Sequence, residues 1–145
     1  MKNLVAQQVG YKKALVQKMA VKPETIQVTP LDEKLIRKAL ETVEKHLANP
    51  DFSVEQLSRE LGMSRVYLYK KLLSLTGKSP IEFIRSIRVQ RAAQLLEQSQ
   101  LTVSEIAYEV GFNNPKYFTR YFKAEYHCLP SAYASRKKES RICAD

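Results

Sequence analysis

The sequence predicts an all-α fold of about seven helices, with two helix-turn-helix subdomains joined by a long linker helix. Three observations carry this expectation. Capping signals open one amphipathic segment after another. Glycines close the short segments soon after their last apolar residue. One unit of cap, short helix, turn and second helix occurs twice.

Residues 1–28 stand apart. Leu4, Val5, Val9, Leu15, Val16 and Met19 give a weak helical pattern broken by Gly10, and Pro23 disfavours helix in the residue before it. Lysines dominate, with Glu24 the one acid. The segment reads as a tail and linker from a preceding domain; a basic arm that touches phosphate is the alternative.

Thr29-Pro30-Leu31-Asp32 starts the first helix of the domain proper, residues 29–135. Threonine caps, proline fits the first turn, and the aspartate favours the positive helix end. Leu31, Leu35, Ile36, Leu40, Val43 and Leu47 form one apolar face, and Asn49-Pro50 ends it. Its charges cancel, so this helix reads as scaffold.

The first helix-turn-helix spans 53–76. Ser53-Val54-Glu55-Gln56 is a capping box, and the short helix behind it stops at Leu61-Gly62. Ser64 caps a second helix, which Thr76-Gly77 closes. The linker helix spans 80–98, opened by Ser79-Pro80-Ile81-Glu82. Ile84, Ile87, Ala92, Leu95 and Leu96 supply its apolar contacts, while Arg85, Arg88 and Arg91 recur every third residue.

The second helix-turn-helix spans 102–126. Thr102-Val103-Ser104-Glu105 caps a short helix that ends at Val110-Gly111. Asn113 or Asn114 caps the next, with Pro115 in its first turn. Tyr117, Phe118, Tyr121 and Phe122 fall at helical spacing as core anchors, and Lys116, Thr119, Arg120 and Lys123 point elsewhere. Leu129 to Tyr133 predicts a brief final helix, and residues 136–145 a flexible tail.

The two copies align closely. Ser53 to Gly62 lies over Thr102 to Gly111 in cap, apolar positions, acid and glycine stop. One extra turn residue shifts the register. Leu68 then matches Phe118, Lys70 matches Arg120, Leu72 matches Phe122, and Pro80 matches Pro130. The first helix of each copy is acid-rich and the second is basic, the electrostatic footprint of a recognition helix. A solenoid would need more than two units and no long helix between them.

Composition narrows the partners. Twenty-four Lys and Arg stand against 15 Asp and Glu, a net charge of +9 that favours a polyanion. The aromatics fall on the core side, which favours duplex DNA over a stacking platform for RNA. Cys128, Cys143, His46 and His127 lack metal-ligand spacing, so neither a metal nor a disulfide scaffold is expected. No paired carboxylates, Cys–His set or glycine-rich phosphate loop points to an enzyme or a cofactor, and no apolar run is long enough to cross a membrane. A reducing cytoplasm fits this usage.

Over about residues 31–135 the chain resembles the AraC/XylS family of bacterial transcription activators. The motif is Ile106-Ala107 through Gly111-Phe112, then Tyr117-Phe118, Arg120, Phe122-Lys123, and Pro130 with Tyr133. The Leu31–Gly77 half looks most like the output domains of hybrid two-component regulators of gut Bacteroidetes. That resemblance implies that residues 1–28 follow a phospho-acceptor receiver domain. It also implies that any histidine kinase activity lies in other regions of a full-length protein, one that a missing sensor region could anchor in the membrane. RNA polymerase is a further candidate partner.

The resemblance implies recognition helices in adjacent major grooves, about 34 Å apart, held by a linker of roughly 27 Å. It places Val66, Tyr69, Lys70, Lys116, Thr119 and Arg120 where family members contact bases. Arg120 suits a guanine edge, and Val66 or the Thr119 methyl a thymine methyl. Arg65, Lys71, Arg85, Arg88, Asn113 and Lys123 are the phosphate candidates. For Arg88 and Arg91 a salt-bridged or exposed face is the alternative. One position departs from the family pattern: His127 stands where glycine is usual, as Gly77 does in the first copy. The last turn of the second recognition helix is therefore expected to differ, with His127 a strained cap or a phosphate contact.

Overall fold

A computed structural model describes residues 29–144, with side chains through Lys138. The predicted tail and linker over 1–28 lies outside the described residues. Among those described, there are seven α-helices and no strand: α1 Pro30–Lys45, α2 Val54–Leu61, α3 Arg65–Thr76, α4 Pro80–Gln98, α5 Val103–Glu109, α6 Pro115–Tyr126 and α7 Pro130–Ala144. They divide into two compact units, and the division falls inside α4. The first unit holds residues 29–45 and 53–84; the second holds 46–52 and 85–144.

In the first unit, α1 starts where the capping signal lies. The Asp32 N–H donates to Thr29 Oγ1 at 3.1 Å, and the Thr29 N–H donates to the Asp32 carboxylate at 3.2 Å. Ile36, Ala39, Leu40 and Val43 are buried. Leu31 is not, against expectation. The buried line runs back from Ile36 by one helical turn to Asp32, which leaves Leu31 facing out. The helix also ends at Lys45, before Asn49-Pro50. Leu57, Leu68, Leu72, Leu75 and Phe83 complete the core.

The second unit packs aromatics where the first packs leucines. Val89, Ala92, Leu96, Ile106, Val110, Phe118 and Phe122 form its buried cluster. Phe122 stacks on Tyr126 at 4.7 Å between centroids and meets Tyr133 edge-on at 5.4 Å. Leu47, from the segment after α1, packs against the same cluster.

α7 is longer than the brief helix predicted, and it continues through the expected tail. From Ser131 to Ala144 no glycine or proline interrupts good helix formers. The Tyr133 hydroxyl pins its first turn by donating to Glu97 at 2.9 Å.

Candidate nucleic-acid interface

Each helix-turn-helix is set by hydrogen bonds that the sequence signals foretell. Ser53 and Gln56 cap α2 reciprocally, and Thr102 and Glu105 do the same for α5. The chain leaves α2 at Gly62, φ 70°, where the Met63 N–H reaches back to the Ser58 carbonyl at 3.0 Å. It leaves the α5 region at Gly111, φ 90°, where the Phe112 N–H reaches the Ala107 carbonyl at 2.9 Å. Ser64 then caps α3, and Asn114 rather than Asn113 caps α6 by accepting the Lys116 N–H at 2.9 Å. Asn113 stays exposed in the turn.

The recognition helices also end alike. Gly77 sits at φ 74°, ψ 7°, and His127 at φ 62°, ψ 20°; each N–H returns to the carbonyl four residues before it. The expected difference in the last turn of α6 is therefore absent. Histidine takes the left-handed position itself, the one non-glycine at positive φ among the described residues, so the strain stays local.

Both helices turn one side inward and one outward. Leu68 and Leu72 of α3, and Phe118 and Phe122 of α6, are fully buried. Arg65, Val66, Tyr69 and Lys70 are exposed on α3; Lys116, Arg120 and Lys123 are exposed on α6, with Thr119 half-buried. Tyr117 corrects a prediction: it is 54% exposed and no core anchor. One residue before Phe118, it is rotated about 100° from the inward line. The α3 position matching it, Tyr67, is exposed too.

The electrostatics of these faces follow from where charges are tied down. α3 contains no acid. The one acid of α6, Glu125, accepts from the Ser86 hydroxyl at 2.8 Å and the Gln90 amide at 3.0 Å, so its charge is held against α4.

Two of the predicted phosphate contacts have partners within the fold, and one of them is buried. Arg88 is only 6% exposed. Its guanidinium donates to the Gly111 carbonyl, and to the Asn49 carbonyl at 2.9 Å. Burial lowers its pKa from the usual arginine value. Lys71 donates to Asp32 at 3.0 Å, and that bond raises the lysine pKa while holding the carboxyl below its ordinary range. Arg88 is thus turned inward, which corrects its prediction as a phosphate contact, while Lys71 keeps a third of its side chain exposed beside Asp32. Arg85 stacks 3.9 Å over the centre of the Tyr121 ring, half-buried. Beside α3 lies an open groove of about 660 Å³, with Val66, Tyr69, Pro80 and Ile81 as apolar lining and Arg65 and Lys70 as cations. By sequence Ile81 is part of the capping box at Ser79 that starts α4, and its place in the groove comes from the packing of α4 beside α3.

Among the described residues no cluster of His, Cys, Asp and Glu could hold a metal ion, and no helix is long and apolar enough to cross a membrane.

A family model described as a helix-turn-helix domain matches residues 57–136, more than half of the chain. Histidine kinase P4 of Formosa agariphila is 39% identical over 138 residues, which cover 95% of this chain and 10% of that protein. The HTH-type transcriptional regulator ExsA of Pseudomonas aeruginosa is 34% identical over 99 residues, covering 68% of this chain and 35% of its own. The chain thus spans about a third or less of these relatives. The DNA-binding domain of AdpA, solved in complex with a target DNA, superposes with a TM-score of 0.66 at 32% identity, covering 77% of this chain and 96% of that one. The C-terminal domain of AraT, a response regulator from Geobacillus stearothermophilus, gives 0.65 at 30%, covering 77% and 88%. With the matching motifs, caps and buried positions of both copies, the chain belongs to the AraC/XylS-type helix-turn-helix family of DNA-binding transcription regulators.

Proposed function

We propose that this chain is the sequence-reading part of a transcription activator, with α3 and α6 in adjacent major grooves of one DNA duplex. One observation carries the reading: both helices expose a cationic, hydrogen-bonding side while the positions between are buried in matching register. Val66, Tyr69 and Lys70 meet bases from the first copy, and Lys116, Thr119 and Arg120 from the second. Arg65, Lys123, Asn113 and Arg85 position the duplex through phosphates. A linker helix of 19 residues suits grooves about 34 Å apart.

The two-component assignment is supported by the likeness to the Formosa histidine kinase, which covers nearly the whole chain. In this reading residues 1–28 follow a receiver domain, the protein works in a bacterial cytoplasm, and RNA polymerase is the downstream partner.

Selection of DNA from a random pool tests the proposal. Two half-sites about one helical turn apart are expected. Arg120→Ala then weakens a cognate site by roughly 1–3 kcal/mol and relaxes one base preference. Recovery of no preferred sequence would leave a helical protein-interaction module in place of a DNA reader.

A further inference from the structure

The two recognition helices share geometry and differ in chemistry. Lys70 and Arg120 hold the same exposed place, yet Val66 corresponds to Lys116, Tyr69 to Thr119, and Ile81 at the start of α4 to Ser131 at the start of α7. Apart from the shared cation at Lys70 and Arg120, the hydrogen-bonding side chains Lys116, Thr119 and Ser131 of the second copy are replaced in the first by Val66, Tyr69 and Ile81. Val66 is 66% exposed, Tyr69 49% and Ile81 57%, and together with Pro80 they line the groove beside α3. Gathered in one groove beside cations, these side chains form a surface suited to a ligand that presents both apolar groups and negative charge.

Two features say what covers it. Arg65 and Lys70 line the same groove, which contains no acid among its lining residues, so its occupant is anionic. The groove is also continuous with the side of α3 assigned to the bases. A polyanion that presents apolar groups at a base edge is duplex DNA rich in thymine, since the C5-methyl is the apolar group in the major groove.

We infer that the first helix-turn-helix reads thymine methyl groups through Val66, Tyr69 and Ile81, while the second reads by the hydrogen bonds of Lys116, Thr119 and Arg120. The half-site of the first unit is accordingly thymine-rich. This rests on the DNA-reading assignment above and adds Ile81, a residue outside the recognition helix, to the reading surface.

Replacing thymine by deoxyuridine removes the methyl and leaves every hydrogen-bonding edge intact. The probe is the duplex selected by the whole chain, and the half-site of the first unit is the one whose base preferences survive Arg120→Ala. Each contacted thymine there, changed to deoxyuridine, is expected to weaken binding about fourfold, the equivalent of one buried methylene. The same change in the other half-site leaves affinity within about twofold on that scale. In the Val66→Ser, Ile81→Ser double variant the thymine preference is diminished, Tyr69 being kept, while an unchanged melting temperature shows that these exposed substitutions leave the fold intact. Equal binding of uracil and thymine in the first half-site overturns the inference, as does a thymine preference undiminished in the double variant. If no duplex is selected at all, the DNA-reading assignment itself falls; if a duplex is selected and uracil is tolerated, the methyl-reading inference alone falls.

Discussion

Arg88 carries a charge into the second unit, where the Gly111 and Asn49 carbonyls receive it. A planar fork can serve two acceptors at once, and an ammonium on a flexible stem reproduces that poorly. Arg88→Lys is therefore expected to lower stability by about 2–3 kcal/mol in urea unfolding, although charge is kept. The sequence held the signal for this burial. Ile84, Arg88, Ala92 and Leu96 follow one another at steps of four along the apolar line, whereas the three-residue recurrence of Arg85, Arg88 and Arg91 drifts around the helix. Charge drew the reading to the surface where spacing pointed inward. Lys71 was harder to see, because its partner Asp32 lies far away in sequence. Asp32 is held below its ordinary 3.8 by Lys71 and Thr29, and Lys71 is held above 10.5 by Asp32. The depressed acid stabilises the fold above its unfolded pKa and loses that effect as pH falls through its native value. The raised base does so below 10.5 and loses it as pH rises through its native value. Asp32→Asn should thus cost about 1 kcal/mol or less at neutral pH, with the deficit vanishing in acid below the native Asp32 pKa, as measured by urea midpoints across pH.

The helix-turn-helix elements were the most legible part of the chain. Caps and stops are local chemistry, so Ser53, Ser64, Thr102 and the glycines after them could be read without knowing the packing. Side-chain direction within a helix is less local: helical spacing marks Tyr117 with Phe118, Tyr121 and Phe122 as core anchors, yet its position one residue before Phe118 turns it to solvent. The length of α7 was missed because polar composition was read as fraying, whereas propensity without a breaker carries the helix on. The two turn glycines separate strain from crowding. Gly62 has open space around a Cβ position, so Gly62→Ala faces backbone strain alone, about 1–2 kcal/mol. At Gly111 a Cβ would run into the Arg88 guanidinium and the Leu47 carbonyl. Gly111→Ala should cost about 3–5 kcal/mol, strain and overpacking together. Thermal melting of the two variants checks the contrast.

At the scale of the whole molecule, the excess of positive charge is a poor guide until the engaged cations are set aside. Arg88 and Lys71 answer to internal partners, while Arg65 and Lys123 are exposed on the recognition helices. Arg65→Ala and Lys123→Ala are each expected to reduce the slope of log affinity against log salt by about 1. Lys71→Ala should leave that slope unchanged while lowering stability, a separation visible in binding titrations at several salt concentrations.

The chain does not assign its residues to the two units in order. Residues 46–52 belong with the second unit although first-unit residues flank them on both sides. Leu47 packs on the second cluster, and the Asn49 carbonyl receives Arg88. At the level of the gene, the two helix-turn-helix units are thus interleaved and are not separate cassettes. A single crossover between them would strand codons 46–52 with the wrong partner, so recombination that trades one unit between relatives must carry that short insert together with the codons from 85 onward.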